Sequence, residues 1–210
     1  IALLGNGPLD VNVSGGASVS GDHYLMYAQT LTSTTLPQAS IVNLFADNAT
    51  LQGTAGANAQ ATANITLDNG SHWTGEAYYL TNGTLDATSR WTVPTTSLLT
   101  AMLSNAGRVE FTPPQDGTFK ELWTRDYLGN GGTLAINTFL GGDGSPSDLL
   151  ILDGGSGQGA GLLEVANAGG TGEVTAGNGI LVVQGINGAT TAAGLFALSG
   201  RVIAGPYEYT

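Results

Sequence analysis

The stretch LGNGGTLAINT, residues 128–138, decides the fold class, because it joins a glycine-rich turn signal to a short alternating strand. Leu134 and Ile136 fall on one face of that strand and polar residues on the other, which is the period of a half-buried β-strand. Four other short runs carry strand patterns, either alternating or continuously apolar: residues 65–67, 109–111, 149–152 and 180–183. Gly, Asn and Asp separate these runs, so the sequence predicts an all-β fold.

The composition indicates a folded chain with little helix. Of 210 residues, 33 are Gly and only 10% are charged, whereas 41% are hydrophobic, which is enough to build a core. Gly costs a helix about 1 kcal/mol per position relative to Ala, so helices are disfavoured. The best helical candidate is residues 96–105, where Ser97 is a possible N-cap. The same residues equally fit a short buried strand.

Two all-β architectures fit the strand pattern: a two-sheet sandwich and a parallel β-solenoid. The excess of Asn, Thr and Gly favours the solenoid, whose coils stack polar turn residues on one another. A weak repeat agrees with this, since Leu67–Ser71 echoes Leu80–Thr84 thirteen residues on, and Leu103 begins a fainter third copy. Gly becomes dense after about residue 105. We therefore predict β-helix rungs in residues 1–105 and a cap in residues 106–210.

The charge balance excludes several classes of function. Five basic residues against sixteen acidic ones give a net charge of −11, which cannot form the basic surface that nucleic acids require. The chain has no Cys, which excludes disulfides and thiolate chemistry. No apolar run is long enough to span a bilayer as a helix. The chain begins at Ile1 without a signal-peptide pattern, and we expect it to be a piece of a longer protein.

Candidates for catalytic chemistry are few. The only imidazoles are His23 and His72, and no nucleophile elbow accompanies them, so we expect both to be turn or rung residues. Asp143, Asp148 and Asp153 recur every five residues. They fit either an acid cluster for calcium or catalysis, or solvated turn acids beside a strand. We predict no catalytic, metal or cofactor site.

Aromatic residues allow two interpretations. They can form a sugar-stacking surface, or they can fill the core and stack along one rung face. The set consists of Trp73, Trp91, Trp123, Tyr78 and Tyr79.

The second half of the chain, residues 107–210, resembles the C-terminal end of the passenger region of bacterial autotransporters of the pertactin and AIDA type. The tail is the most specific part, with GATTAAG at 188–194 followed by Gly205-Pro206-Tyr207-Glu208-Tyr209. Further matching stretches are residues 107–113, 118–122, 128–134, 137–140, 147–151 and 177–183. Residues 1–105 match by composition and through residues 65–73.

This resemblance implies a right-handed parallel β-helix closed by a C-terminal β cap, the autochaperone, which nucleates folding and supports secretion. It implies a non-enzymatic structural segment of a protein exported through the periplasm and outer membrane to the cell surface or medium. The implied partners are the parent's own C-terminal outer-membrane β-barrel and a host surface or matrix ligand. The parent would be an adhesin or another host-facing virulence factor, and the segment a monomer.

Eight residues are predicted to pack the cap and its folding nucleus: Phe111, Phe119, Leu122, Trp123, Leu134, Ile136, Val182 and Tyr207. Two alternatives stay open at this point. One is a β-helical carbohydrate-binding or carbohydrate-active protein that uses the turn acids and surface aromatics. The other is a β-sandwich adhesin domain.

Overall fold

The computed structural model describes residues 8–30 and 40–210, which form twenty β-strands and no helix. The first ten are β1 (Pro8–Ser14), β2 (Ser18–Ala28), β3 (Ile41–Asp47), β4 (Thr50–Ala57), β5 (Thr62–Asp68), β6 (His72–Thr74), β7 (Ala77–Tyr78), β8 (Leu80–Leu85), β9 (Arg90–Val93) and β10 (Ser97–Asn105). The others are β11 (Arg108–Phe111), β12 (Glu121–Thr124), β13 (Asp126–Thr138), β14 (Leu149–Asp153), β15 (Ser156–Asn167), β16 (Val183–Ile186), β17 (Thr190–Thr191), β18 (Phe196–Leu198), β19 (Val202–Ala204) and β20 (Tyr207–Tyr209). Within these described residues, no helix has the length and hydrophobicity needed to cross a membrane.

The strands wind into a parallel β-helix whose successive coils pair edge to edge. One face runs through β1, β3, β5, β8, β10, β13 and β15. A second face runs through β2, β4, β6, β9, β11, β13, β15 and β18. A third consists of the ends of β2 and β4, then β7, the start of β10, β12, β14 and β16. All these pairings are parallel, which confirms the predicted solenoid and excludes a sandwich of antiparallel sheets.

The coil register differs from the repeat that the sequence suggested. Leu67 stacks on Leu85, eighteen residues on, and not on Leu80. Other coils are longer, since Pro8 pairs with Ile41 and Tyr127 pairs with Gly157. The coil length varies because residues inserted at a corner or in an excursion leave the strand pairing intact. A fixed sequence period therefore cannot reveal the stacking.

Polar side chains follow the stacking on the outside of the first face. Asn82 donates to the Oδ1 of Asn64 at 2.9 Å, Asn64 donates to Asn43 at 2.8 Å, and Asn43 donates to Asp10 at 2.7 Å. Each amide can both donate and accept, so one residue type continues the ladder from coil to coil.

The interior is one continuous hydrophobic core that runs from Leu25 to Leu195. Its largest members are Trp73 and Trp91, whose rings stack at 4.7 Å with only 9° between their planes. The indole N–H groups donate to the carbonyl oxygens of Gly53 and Gly75, each at 2.9 Å. The tryptophans are therefore core residues, and their only polar atoms have partners.

Two glycine-rich stretches and the candidate helix all lie in strands. Residues 97–105 form β10, with Leu99 and Leu103 pointing inward. Residues 129–132 lie inside β13, where Gly131 has a φ of 85°, and residues 156–161 begin β15. A glycine with positive φ turns the chain round a corner without ending the coil, so a turn signal here does not separate two strands. The last strand of the third face begins at Val183, whereas the sequence predicted a strand over 180–183.

The C-terminal end of the helix carries a small β cap. The final coil contributes short strands β16, β17 and β18, and then β19 and β20 pair with each other as an antiparallel hairpin. The hairpin has its own cluster, in which Val202 and Ala204 pack with Leu140. Parallel pairing crosses residue 105 without interruption, because β10 pairs with β13 and β9 with β11. The division at residue 105 stays a prediction.

Candidate functional site

A buried polar hub fixes the chain where the end of β13 meets the residues just before β12 and β14. Asp148 is fully buried, and its Oδ1 accepts the backbone N–H of Lys120 at 2.8 Å. Its Oδ2 accepts the backbone N–H of Asn137 at 2.8 Å and the side-chain amide of Asn137 at 2.7 Å. Three N–H donors thus satisfy one buried carboxylate. We call Lys120, Asn137 and Asp148 the polar hub.

The hub also holds the excursion between β11 and β12. The ammonium of Lys120, the only lysine, donates to the carbonyl oxygens of Thr112 at 2.9 Å and Pro113 at 3.2 Å. The Asn137 amide reaches the Thr112 carbonyl as well, at 3.0 Å. These bonds fix the irregular segment between β11 and β12 to two coils. Hydrogen bonds are directional, so they define the position of its carbonyl groups more closely than a hydrophobic contact would.

The three acids of the suspected cluster are not brought together. Asp143 accepts the backbone N–H groups of Ala176, Gly177 and Gly179, and this lowers its pKa from the ordinary value. Asp153 accepts the amide of Asn187 at 2.6 Å. Across residues 8–30 and 40–210, no group of three His, Cys, Asp or Glu side chains could hold a metal ion. Asp148 also differs from a solvated turn acid, because the hub buries it completely.

An ion-pair network joins coils on the outside of the second face. Arg108 forks onto Glu164 at 2.7 and 2.9 Å and pairs with Glu110 at 2.7 Å. The small Ala135 stands between Glu110 and Glu164 in register, so the guanidinium reaches across β13. The hydrogen bond to Glu164 raises the pKa of Arg108, and the same bond lowers the pKa of Glu164.

The histidines have no catalytic arrangement. His72 lies beside Trp73 with its Nε2 2.9 Å from the Thr92 hydroxyl, and that hydroxyl donates to Glu110. Since the hydroxyl proton goes to Glu110, the imidazole must donate to the oxygen and cannot act as its base. Burial lowers the pKa of His72, and Arg90 lowers it further. His23 is exposed on β2.

The predicted cap residues fall into two groups. Phe111, Leu122, Leu134 and Ile136 are in the core, and Leu122 and Leu134 are fully buried. Phe119, Trp123, Val182 and Tyr207 are half-buried. Trp123 lies on the outer face of β12 and donates to Glu121 at 2.8 Å, because the alternation of the strand gives the inner position to Leu122. The role of all eight in folding stays a prediction.

The residues that the last coil contributes to the core were not found from the sequence. Leu195, between β17 and β18 of the last coil, is buried in the core, and the ring of Phe196 lies 5.4 Å from the ring of Tyr127. Burial raises the pKa of Tyr127 to about 12, while its hydroxyl accepts a hydrogen bond from Asn105 at 3.1 Å. In the sequence, Leu195 and Phe196 appear only as a Leu-Phe pair after a run of Ala and Gly. A pair of residues is too short to show whether it fills the core or belongs to a strand.

The hairpin is locked to the excursions of the preceding coils. The Tyr209 hydroxyl accepts the backbone N–H of Glu173 at 3.1 Å and donates to the carbonyl of Gly141 at 3.0 Å. Arg201 forks onto Glu208 across the hairpin at 2.7 and 2.8 Å. The hairpin is thereby held against the segments that follow β13 and β15.

Together these features define a β-helix stem that ends in a C-terminal β-hairpin cap. The family model for the autochaperone domain type 1 matches residues 97–210, more than half of the chain, and the chain belongs to this family. It thus belongs to the passenger of an autotransporter, a class of protein that reaches the cell surface or the medium across the outer membrane.

Two relatives in Escherichia coli (strain K12) show similarity over a shorter segment. The chain is 43% identical over 86 residues to the uncharacterized protein YdeU, covering 40% of this chain and 17% of that protein. It is 40% identical over 85 residues to the uncharacterized protein YuaQ, covering 40% of this chain and 6% of that protein. The aligned segment thus spans less than a fifth of either relative.

Proposed function

We propose that residues 106–210 fold first and then act as the template on which the earlier coils assemble, so that the cap supports secretion of the passenger. The observation that carries this proposal is the asymmetry of the two ends. At the C-terminal end, β16, β17 and β18 pair on one side only among the described strands, but the antiparallel β19–β20 hairpin follows them and packs against Leu140. At the other end, β1 pairs with β3 on one side only among the described strands. The inward-pointing Val11, Val13 and Val19 of the first coil are only half-buried there.

The physical mechanism is growth on an existing edge. A free strand that meets a folded coil finds a row of unpaired N–H and C=O groups and a surface of aligned side chains. Each new coil then orders only its own residues, since the partner strand is already fixed. Formation of a rigid coil in residues 106–210 is therefore the step on which folding of the other coils depends.

The distribution of polar cross-links supports an early cap. The polar hub, the fork between Arg108 and Glu164 and the lock at Tyr209 lie in residues 106–210. The earlier coils are joined by strand pairing, the tryptophan stack, the asparagine ladder and the exposed bonds of Asn69 to Asp47 and Asp86. Hydrogen bonds to a buried charged group are stronger than bonds between neutral groups. The coils of residues 106–210 therefore gain more stability when the loops between their strands become ordered.

Three tryptophans allow the two regions to be followed separately in the full chain. Trp73 and Trp91 report on the early coils and Trp123 on the later ones. A Trp123→Phe variant leaves the stacked pair as the only tryptophan signal, and the Trp123 signal follows by difference from the wild type. On refolding from guanidinium we expect the Trp123 signal to recover first and the signal of the pair afterwards. Simultaneous recovery, or recovery of the pair first, would contradict the proposal.

A matched pair of leucines tests the direction of the dependence. Leu122 and Leu51 are both fully buried, the first in the proposed template and the second in an early coil. Leu122→Ala should slow recovery of both signals, whereas Leu51→Ala should slow only the recovery of the tryptophan pair. Equal effects of the two variants on the Trp123 signal would show that the early coils fold without a template.

The remaining parts of the proposal concern the parent protein. We infer a non-enzymatic passenger segment with a role in contact with a host surface or matrix, in a parent adhesin or virulence factor that carries its own outer-membrane β-barrel. Support comes from the family, from the acidic surface of the segment and from the structural use of Asp143, Asp148 and Asp153. Binding of cells expressing the parent to host matrix, compared with cells lacking it, tests this part.

A further inference from the structure

Four tyrosines form an exposed aromatic surface on the side of the helix. The rings of Tyr24 and Tyr27 on β2 lie 4.7 Å apart, and those of Tyr78 and Tyr79 lie 5.0 Å apart in an edge-to-face arrangement. Tyr27 and Tyr78 are aligned on either side of Gly56 in the strand register. Tyr24, Tyr78 and Tyr79 are exposed by 43%, 41% and 46%. We call these four residues the tyrosine surface.

The backbone at Tyr79 is strained although its side chain is not needed by the core. Its φ is 53°, in the left-handed region that bulky residues avoid. Gly or Asn would adopt this conformation at lower cost. A non-glycine residue held in this region is strained, and such residues concentrate at functional sites. Because nearly half of the ring faces solvent, packing does not account for a tyrosine at this position.

A polar groove lies beside the tyrosine surface at the corner between the second and third faces. It has a volume of about 560 Å³ and crosses several coils at residues 20–22, 52–54, 74–76 and 94–95. Three of its glycines, Gly21, Gly53 and Gly75, come from successive coils, and a Cβ at any of them would meet backbone atoms of a neighbouring coil or turn. The lining carries the carboxylates of Asp22 and Glu76 and no cationic side chain. We call this the corner groove.

The groove and the tyrosines form one continuous surface. Tyr24 pairs in register with Thr54, which lines the groove, and Tyr78 lies two residues after Glu76, which also lines it. The surface therefore places flat aromatic rings beside carboxylate oxygens and hydroxyls. Flat rings stack on the C–H faces of a ligand, and carboxylates accept hydrogen bonds from hydroxyl or ammonium groups.

We propose that the tyrosine surface and the corner groove bind an oligosaccharide that has no anionic groups. Sugar rings stack on Tyr24, Tyr78 and Tyr79, and hydroxyl or amino groups donate to Asp22 and Glu76. A chain net charge of −11 disfavours uronic acids and sulfated sugars. A protein partner is less well matched, since the groove lining has no apolar side chain larger than Pro94 and so lacks the aromatic and aliphatic anchors of a protein interface.

This proposal gives a chemical class to the host contact proposed above, and it does not depend on the folding role of the cap. The experiment uses the full chain and saturation-transfer NMR with isothermal calorimetry. The probes are mannotetraose and cellotetraose as neutral sugars, a chitosan tetramer as an amino sugar and tetragalacturonate as the anionic comparison. We expect binding of a neutral or amino sugar with saturation transferred from tyrosine protons.

Variants test whether the named residues bind the sugar. Tyr79→Asn removes the ring and suits the left-handed backbone, so it should weaken binding about tenfold without lowering the melting temperature. Glu76→Gln should weaken binding of the amino sugar more than that of a neutral one. Phe45→Ala is the matched control, because Phe45 is exposed by 39% on the first face. It should leave the affinity unchanged.

Three results overturn the proposal: no saturation transfer from any of the uncharged or amino sugars, stronger binding of tetragalacturonate than of the others, or unchanged affinity in Tyr79→Asn. A refolding experiment on Tyr79→Asn separates a failure of sugar binding from a failure of the folding proposal. If the Trp123 signal still recovers before that of Trp73 and Trp91, the folding proposal stands whatever the sugar affinity.

Discussion

Replacing Asp148 by Asn should destabilise the later coils by about 3 kcal/mol. The carboxylate accepts N–H groups at both oxygens, from the Lys120 backbone on one side and from the backbone and side chain of Asn137 on the other. An amide of the same shape has only one oxygen. Its better orientation keeps the two bonds from Asn137 and turns the NH2 group toward the N–H of Lys120.

The magnitude follows from these contacts. The lost bond to a charged acceptor contributes about 1.5–3 kcal/mol, and it leaves a buried N–H without a partner. The two remaining bonds become neutral and weaken, by roughly 0.5–1 kcal/mol each. The neutral amide is less costly to bury than a carboxylate, which offsets part of the loss. A net loss of about 3 kcal/mol results.

The assay is guanidinium unfolding at neutral pH, followed by the Trp123 signal and by circular dichroism. The control is Asp153→Asn, whose exposed carboxylate accepts one side-chain amide and which should change stability by less than about 0.5 kcal/mol. Equal midpoints for the two variants would refute the argument that the hub depends on the charge of Asp148. So would a loss in Asp148→Asn confined to the signal of Trp73 and Trp91.

Three further predictions concern the stem and the ion pairs. Trp91→Ala should lower stability by about 3–5 kcal/mol in guanidinium unfolding, because it opens a cavity beneath the buried ring of Trp73; a loss below 1 kcal/mol would show that the coils collapse onto the space. Asn64→Ala removes two bonds of the half-buried ladder and should cost about 1–2 kcal/mol by the same assay, whereas an unchanged midpoint would mean that the ladder adds no stability. Arg108 lowers the pKa of Glu164 below its ordinary value of 4.5, so the ionised carboxylate stabilises the fold above that pH and the contribution is lost as the pH falls through the lowered pKa. The midpoint should fall less steeply with acid in Glu164→Gln than in the wild type, and parallel acid profiles would contradict this.

The sequence was a good guide to strands and a poor guide to their pairing. The alternation of Leu134 and Ile136 correctly placed both side chains in the core. The echo between Leu67 and Leu80 misplaced the register, since Leu85 is the true partner. Alternation is a property of one strand, whereas the partner of a strand depends on how many residues the corner and its excursion contain.

The polar positions were harder still. Asp143, Asp148 and Asp153 look alike in sequence, yet one accepts three backbone N–H groups from a distant loop, one is buried in the hub and one lies exposed. Of the five aromatics that the sequence grouped, Trp73 and Trp91 are in the core, and Tyr78 and Tyr79 face solvent. Burial of a polar or aromatic side chain depends on contacts between coils, which no local pattern records.

By itself the sequence determined the all-β class, the near absence of basic surface and cysteine chemistry, and the resemblance of its second half to an autotransporter cap. These follow from composition, from two-residue alternation and from residues in a fixed order. The tertiary structure alone decided which coils stack, that Leu195 enters the core and which of the acids is buried. The reason is physical: in a parallel β-helix each stabilising contact joins residues about one coil apart, and the length of each coil is set by corners and excursions that strand pairing tolerates at almost any length.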